Sequence, residues 1–219
     1  MKISLENISH RLGNNVLFNE LYLEVNNGEC CVISGDSGSG KSLLFNMICD
    51  ISRPQQGEVI FDGIEISKMN ESQYFNYKKH TGVIFQLPAL ISNLTLKENL
   101  LLPLNRFYPD ESYEKKISMV ENKCIDIGLE NYLNLRTEHL SIGMASLVGV
   151  IRAALLQPKV IVWDSPISEV DSHWTDYEIN LIKDLKERGV TQILLSNRKI
   201  IERLGHHVYR LEKGQCYAA

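Results

Sequence analysis

The chain alternates short apolar runs with longer segments in which apolar residues recur at helical spacing. Short apolar runs bounded by Gly, Pro or Asn predict buried strands, and recurrence every three or four residues predicts helices. Helical spacing occupies about residues 95–157, including 111–127 and 142–156, and returns at 171–188, where Gly189 ends the pattern. The predicted strands span residues 2–8, 17–25, 30–33, 58–63, 82–86, 160–164, 191–196 and 208–212.

This order of elements predicts an α/β fold in which a helical segment interrupts the strands. Without an internal repeat or a linker, we expect residues 1–219 to form one domain. Its core lobe would comprise about residues 1–86 and 158–219, and a helical insertion would comprise about residues 87–157.

Composition excludes several classes of protein. The net charge of −4 and the pI near 5.9 give no overall attraction to nucleic acid, so we expect no nucleic-acid partner. Apolar stretches fall short of the roughly 20 residues of a membrane span, and the N-terminus lacks the apolar core of a signal peptide. The five cysteines contain no C-x-x-C pair, which favours reduced thiols in a cytosolic protein.

A phosphate-binding loop is the strongest chemical signal in the chain. Residues 35–42 match G-x-x-x-x-G-K-[ST] at every fixed position, between the predicted strand 30–33 and a helical stretch at 43–51. That placement directs backbone N–H groups and a helix N-terminus at the phosphates. Far downstream, a second apolar strand ends in Asp164, a carboxylate suited to the Mg²⁺ side of a nucleotide site.

The order of further motifs resembles one family. The chain as a whole is similar to the ATP-binding cassette (ABC) ATPase subunits, and this resemblance implies a P-loop NTPase (RecA-like) core with an antiparallel β subdomain and an inserted helical subdomain. Within it, Leu140-Ser141-Ile142-Gly143-Met144-Ala145 looks most like the Mla/Mce phospholipid-transport ATPases, which carry Met where most relatives carry Gln. The motifs in chain order are the phosphate loop, Phe85-Gln86, Leu140 to Met144, Trp163 to Pro166, Ser168 to Asp171, and Leu195 to Asn197.

The resemblance implies ATP and Mg²⁺ as ligands. Lys41 would neutralise the β- and γ-phosphates, and Ser42 and Asp164 would hold Mg²⁺. Gln86 would contact Mg²⁺ or position the attacking water. The residues expected to bind the nucleotide are Gly35, Asp36, Ser37, Gly38, Ser39, Gly40, Lys41, Ser42 and, beside the base, Arg11.

The resemblance also implies protein partners. ATP would close a sandwich of two ABC subunits, identical or different, in which Ser141, Gly143 and Met144 face the partner's nucleotide. Asp171 would lie in the loop that contacts that partner. An integral membrane permease would hold the pair at the cytoplasmic face of the membrane, where this chain is expected to be peripheral.

Two catalytic positions depart from the family, so no intact catalytic set is expected. The general base would be Glu at position 165, but the chain has Ser165, whose hydroxyl cannot hold a proton near neutral pH. The switch His corresponds to Asn197, which donates a hydrogen bond but cannot shuttle a proton. Ile142 replaces a signature Gly, and His10-Arg11-Leu12 lacks the expected base-stacking aromatic residue.

We therefore expect an ATP-binding subunit of a lipid transporter with impaired or absent hydrolysis, which pairs with or regulates a competent subunit. One alternative is an active ATPase, in which Gln86, Asp164 and Mg²⁺ position water well enough for slow turnover. A second alternative is an ABC subunit of the export or cell-division type.

Overall fold

Two β-sheets and seven α-helices form the parts of the chain that this computed structural model describes, residues 1–167 and 172–219. Three short 3₁₀ turns occupy Ile66–Lys68, Glu130–Tyr132 and Thr137–His139. The strands are β1 Ile3–Leu12, β2 Asn15–Val25, β3 Cys30–Ser34, β4 Gln56–Phe61, β5 Ile64–Glu65, β6 Thr81–Ile84, β7 Val160–Asp164, β8 Thr191–Leu195, β9 His207–Glu212 and β10 Gln215–Ala218. The helices are α1 Lys41–Ile48, α2 Glu71–His80, α3 Leu96–Phe107, α4 Tyr113–Ile125, α5 Ile142–Ala154, α6 Ser172–Glu187 and α7 Lys199–Glu202.

The topology of the larger sheet determines where the candidate site lies. Its strand order is β10-β9-β3-β8-β7-β6, and every neighbouring pair from β9 to β6 is parallel. The carboxyl ends of β3, β6, β7 and β8 therefore lie along one edge, which is where open parallel sheets bind ligands. The segments that follow these strands carry the phosphate loop, Gln86, Ser165 and Asn197.

The smaller sheet is antiparallel, with the order β2-β1-β4-β5. Its buried residues, among them Ile3, Leu21 and Phe61, share one hydrophobic cluster with Leu44 and Phe45 of α1. The hairpin formed by β1 and β2 is consequently packed beside the helix that begins at the phosphate loop.

A separate hydrophobic cluster joins α3, α4 and α5. Leu96, Leu100 and Leu104 of α3 pack there with Val120 of α4 and Leu147 of α5, all at no measurable exposure. On its other side, α5 contributes Val150 and Ala153 to the cluster beneath the larger sheet. Helix α5 thus connects the helical segment to the sheet that carries the site.

Most predicted elements appear with boundaries shifted by a few residues, but three differences have physical causes. Helix α2 was not anticipated, although Asn70 and Gln73 form a capping box at its start. The helical structure predicted for residues 95–157 is interrupted between α4 and α5. Gly128 adopts a φ of 74° there, and two 3₁₀ turns follow it. The short strands β5 and β10 were also missed, since each is completed only by its hairpin partner.

No helix among the described residues is both long enough and apolar enough to cross a bilayer.

Two leucines of α3 test the separate helical cluster. Leu100 is 0% exposed, whereas Leu102 is 39% exposed. We expect Leu100→Ala to lower the free energy of unfolding by about 2–5 kcal/mol, because it removes buried methyl groups and leaves a cavity. The matched control Leu102→Ala should cost less than about 1 kcal/mol. Urea denaturation followed by circular dichroism measures both, and equal losses would contradict this packing.

Candidate functional site

A cleft of about 620 Å³ lies at the carboxyl edge of the larger sheet. The phosphate loop, the start of α1 and the segments after β6, β7 and β8 form most of its wall, and the β1–β2 hairpin completes it. The described lining residues are Leu12, Leu17, Ser37, Gly38, Gly40, Lys41, Ser42, Leu43, Gln86, Ser165, Pro166, Ser196, Asn197 and Arg198.

The backbone of the phosphate loop requires glycine. Gly38 and Gly40 have φ values of 82° and 102°, in the left-handed region that side chains disfavour. A Cβ at Gly40 would also come within 2.9 Å of the Phe18 ring. Gly40 is the N-cap of α1 without a side-chain cap, so the helix presents its first backbone N–H groups to the cleft. This arrangement suits an anion such as phosphate.

Lys41 supplies the positive charge of the loop. Its Nζ donates hydrogen bonds to the carbonyl oxygens of Gly35, at 2.5 Å, and Asp36, at 3.0 Å. Burial lowers the pKa of Lys41, while the carboxylates of Asp164 and Asp36 oppose that shift. The ammonium is therefore held over the loop beside the helix N-terminus, where two sources of positive potential coincide.

The donor set opposite Lys41 fits Mg²⁺. Asp164 is 9% exposed, and burial raises its pKa against hydrogen bonds from Ser165 and Ser42 and the charge of Lys41. With Gln86 in the same cleft, the available ligands are a carboxylate, a hydroxyl and an amide oxygen. Such hard oxygen donors match Mg²⁺, which typically takes few protein ligands alongside substrate phosphates. In the described ranges, no group of three or more His, Cys, Asp or Glu side chains is placed so that it could hold a metal ion by itself.

The turn after β7 holds Ser165 at the cleft in a strained conformation. Ser165 and Ile167 have φ values of 54° and 59°, which are unfavourable for residues with a side chain and most of all for β-branched Ile. The Ser165 N–H donates to the Leu195 carbonyl at 2.8 Å. The Ile167 N–H donates to the Glu178 carboxylate of α6, also at 2.8 Å. These two bonds fix the turn.

Glu178 is a supporting residue that the sequence reasoning missed. It is 3% exposed, and burial raises its pKa while the bond from Ile167 opposes the shift. A signal existed in the chain, since Glu178 stands on the apolar stripe of α6 that includes Ile182 and Leu185. A carboxylate at such a position indicates a specific internal partner.

The structure brings most of the expected nucleotide-site residues together. Of the phosphate loop, Ser37, Gly38, Gly40, Lys41 and Ser42 line the cleft directly. The segments after β6, β7 and β8 add Gln86, Ser165 and Asn197, with Asp164 directly behind Ser165. Pro166 and Ser196 also line the cleft; both belong to the motifs named above, but neither was assigned a role. Arg198 lines the cleft as well, and it lies outside every one of those motifs.

Arg11, which was expected beside the base, does not line this cleft. It lines a separate depression with His10 and Val16, and Leu12 and Leu17 take part in the cleft instead. The register of β1 against β2 is irregular between Ile8 and Arg11. Because of this irregularity, the alternation of side chains along a regular strand does not predict which residues of β1 face the cleft.

The signature residues do not line the cleft of their own chain. They stand at the start of α5, where the Ser141 hydroxyl accepts a hydrogen bond from the Met144 N–H at 3.2 Å. Gly143 is buried there, and Ile142 is 61% exposed. Asp171 lies outside the described residues.

Comparison with known proteins identifies the family. Residues 18–168 match the family described as ABC transporter. The chain belongs to this family. Its ABC ATP-binding protein relatives include YtrE of Bacillus subtilis (strain 168), 33% identical over 89% of this chain and 84% of YtrE. They also include the intermembrane phospholipid transport protein MlaF of Haemophilus influenzae, 29% identical over 89% of this chain and 74% of MlaF.

Solved ABC structures confirm the predicted fold class. A post-hydrolysis dimer of the ATP-binding cassette MJ0796, bound to ADP and Pi, matches with a TM-score of 0.90 at 27% identity. The match covers 99% of this chain and 97% of the MJ0796 chain. This ABC domain is therefore a P-loop NTPase of mixed α/β type, as the motif order predicted, and family membership implies ATP binding. Other relatives are named for lipoprotein release, methionine import and macrolide export, so identity alone selects no transported substrate.

Lys41 provides a direct test of the ABC nucleotide site. We expect Lys41→Ala to weaken MgATP binding by about tenfold or more, because one charged phosphate contact contributes on the order of 1.4 kcal/mol. Isothermal titration calorimetry measures the affinity. Lys68→Ala is the matched control. Lys68 is exposed in the 3₁₀ turn that follows β5, and it forms an ion pair with Glu65. Equal affinities for the two variants would contradict the site.

Glu178 gives this ABC domain a stability term that depends on pH. Because its pKa is raised in the folded state, the term is fully present below the ordinary Glu pKa and is lost as pH rises through the raised value. Glu178→Gln keeps an acceptor for Ile167 and removes the charge. We therefore expect this variant to gain stability relative to the wild type between about pH 4.5 and about pH 8.

Urea denaturation at the two pH values measures the difference in the free energy of unfolding. Glu187→Gln, which removes an exposed carboxylate from the same helix, is the control. The opposite result, in which the wild type becomes more stable relative to the Glu178→Gln variant as pH rises, would contradict this prediction. It would show that the buried carboxylate is stabilised when it is charged.

Proposed function

We propose that this ABC transporter ATP-binding subunit binds MgATP and hydrolyses it slowly or not at all. The observation that carries the proposal is the position of Ser165 and Asn197, which line the same cleft as the phosphate loop. Neither side chain can accept a proton from water near neutral pH. Loss of a general base costs about 10²–10⁴-fold in rate.

The contacts of Ser165 support this proposal. Its Oγ donates to the Asp164 carboxylate at 3.2 Å, so its proton is already engaged with an acceptor of the protein. The turn that holds it is anchored by Leu195 and Glu178, which leaves little freedom for another geometry. Ser165 therefore shapes the wall of a binding site.

Within the cleft, the chain's own residues would act on the phosphates. Lys41 and the N-terminus of α1 would neutralise them, and Ser42, Asp164 and Gln86 would hold Mg²⁺, which would neutralise further phosphate charge. The affinity would come from these electrostatic contacts. We propose the full loop, Gly35 to Ser42, as the nucleotide-binding segment, with its glycines providing the backbone geometry.

We further propose that the subunit works as one half of a dimer. Ser141, Gly143 and Met144 would face the partner's nucleotide across the interface, and Asp171 would lie in the contacting loop. The exposed apolar side chain of Ile142, at the N-terminus of α5, supports a covered surface there, because it would leave water on association. A heterodimer fits best, since a homodimer would duplicate the changes at Ser165 and Asn197.

The transporter we propose is of the Mla/Mce lipid type, with an integral membrane permease that holds this subunit at the cytoplasmic face. The relative MlaF, named for intermembrane phospholipid transport, supports the assignment. So does the segment Leu140 to Ala145, with Met144 where most relatives carry Gln.

The domain would divide into a core lobe of about residues 1–86 and 158–219 and a helical insertion of about 87–157. The separate α3–α5 cluster supports that division.

Restoring the two changed positions tests the hydrolysis proposal. We expect Ser165→Glu combined with Asn197→His to raise steady-state ATP turnover by about tenfold or more, because a base and a proton-carrying switch residue return to the cleft. Ser165→Gln with Asn197→His is the matched control, since Gln has the size of Glu without its basicity. Phosphate release by the purified chain measures turnover.

The hydrolysis proposal would be refuted if the wild-type protein, purified free of contaminating ATPases, hydrolysed ATP at about 1–10³ s⁻¹, as ordinary enzymes do.

Reconstitution with a permease in phospholipid vesicles tests the lipid assignment. Lipid transfer between vesicles should depend on this subunit, and a permease complex that transfers no lipid would count against it.

A further inference from the structure

We propose that the guanidinium of Arg198 binds the terminal phosphate of a bound nucleoside triphosphate, as the second cation of the cleft after Lys41. This inference rests on the proposed nucleotide binding, and it does not depend on whether hydrolysis occurs. It gives a role to a residue that lies outside the motifs named above. The consequence is a site that loses affinity for the triphosphate, and not for the diphosphate, when Arg198 is removed.

The segment after β8 holds the backbone of Arg198 at the cleft. The Ser196 N–H donates to the Ile33 carbonyl at 3.0 Å, which joins this segment to β3, the strand that leads into the phosphate loop. The Arg198 N–H in turn donates to the Ser196 hydroxyl at 3.2 Å, and Ser196 is only 3% exposed. The turn that carries Arg198 is therefore anchored to the strand of the phosphate loop, and Arg198 itself lines the cleft.

The strand order indicates which phosphate lies near this turn. In phosphate-loop sites the metal bridges the two outer phosphates, and Asp164 at the end of β7 is a candidate Mg²⁺ ligand. Strand β8 lies between β3 and β7 in the sheet, and the Ser165 N–H donates to the Leu195 carbonyl at 2.8 Å. The turn with Arg198 thus follows the strand between the phosphate loop and that carboxylate. The outermost phosphate would be held between the same two groups.

The guanidinium of Arg198 is available to a ligand. Arg198 is exposed, and its guanidinium has no hydrogen bond or ion pair within the described part of the chain. By contrast, Arg210 already pairs with Asp36 of the loop at 3.7 Å. Of the described residues that line the cleft, Lys41 and Arg198 are the two that carry a lysine or arginine charge. Arg198 is the one of these two whose charged group has no partner in the protein.

An arginine in this position can make a contact that Asn197 cannot make. A guanidinium presents a planar fork of N–H donors that matches two phosphate oxygens, and it remains charged near neutral pH. The Asn197 amide donates hydrogen bonds but adds no charge. The terminal phosphate carries more negative charge than the inner ones, so it gains most from a second cation. Because a guanidinium does not accept a proton, this contact would strengthen binding without restoring a general base.

A comparison of diphosphate and triphosphate binding tests the inference. Isothermal titration calorimetry would measure the magnesium complexes of ADP and of AMPPNP, a triphosphate analogue that resists hydrolysis. We expect Arg198→Ala to weaken AMPPNP binding by about tenfold or more and ADP binding by less than about twofold, because only the triphosphate reaches the guanidinium. Arg198→Lys keeps a charge without the fork, so we expect it to weaken AMPPNP binding by an intermediate factor.

Lys199→Ala is the matched control for charge. Lys199 is the next residue along the chain, and it is exposed like Arg198 but does not line the cleft. Both alanine variants lose one positive charge from the same segment, so the general attraction of the protein for anions changes equally. We expect Lys199→Ala to bind ADP and AMPPNP as the wild type does. Circular dichroism establishes that each protein is folded.

The outcomes separate this inference from the proposed function. In Arg198→Ala, a loss of AMPPNP affinity less than about fivefold larger than the loss of ADP affinity would show that Arg198 does not bind the terminal phosphate. A loss of AMPPNP affinity in Lys199→Ala as large as that in Arg198→Ala would show that only net charge matters. Either result overturns the inference alone. Failure of the folded wild type to bind both ligands would overturn the inference and the proposed function together.

Discussion

The close approach of the phosphate loop to Phe18 is the constraint on which the site depends. Gly40 adopts a left-handed conformation directly against that ring, where a Cβ would lie within 2.9 Å of it. Phe18 is itself buried in the cluster that joins the smaller sheet to α1. The β1–β2 hairpin therefore fixes the start of α1, and through it the direction of Lys41 and of the helix N-terminus. The same hairpin supplies Leu12 and Leu17, so one packing contact links the phosphate end of the cleft to its apolar wall.

A second constraint operates after β7, where backbone strain and a buried carboxylate occur together. Left-handed conformations at Ser165 and Ile167 are unfavourable, and a carboxylate inside the protein is unfavourable as well. The hydrogen bond from Ile167 to Glu178 compensates part of both terms, because the turn gains an acceptor and the carboxylate gains a donor. The wall beside Ser165 is thus maintained at an energetic cost, which is typical of segments shaped for a ligand.

These two constraints lead to a consistent view of the cleft. Its positive potential comes from Lys41 and α1, its candidate oxygen ligands for Mg²⁺ are Ser42, Asp164 and Gln86, and its apolar surface comes from the hairpin. Ser165 and Asn197 line the same cleft, and neither side chain can accept a proton from water near neutral pH. This arrangement supports the proposal that the subunit holds a triphosphate and hydrolyses it slowly or not at all. In a dimer, such a subunit would contribute a bound nucleotide and an interface.

The sequence by itself determined the phosphate loop, the carboxylate at Asp164 and the family, because fixed spacing within single segments carries each of these signals. The resemblance to the family, carried by the order of the motifs, also predicted that Gln86, Ser165 and Asn197 belong to one site. Only the tertiary structure decided which residues of the hairpin face the nucleotide cleft. Irregular pairing between Ile8 and Arg11 shifts the facing residue from Arg11 to Leu12, and local alternation does not reveal such shifts. The role of Glu178 likewise depended on packing, because its partner lies in a turn whose backbone conformation the sequence does not specify.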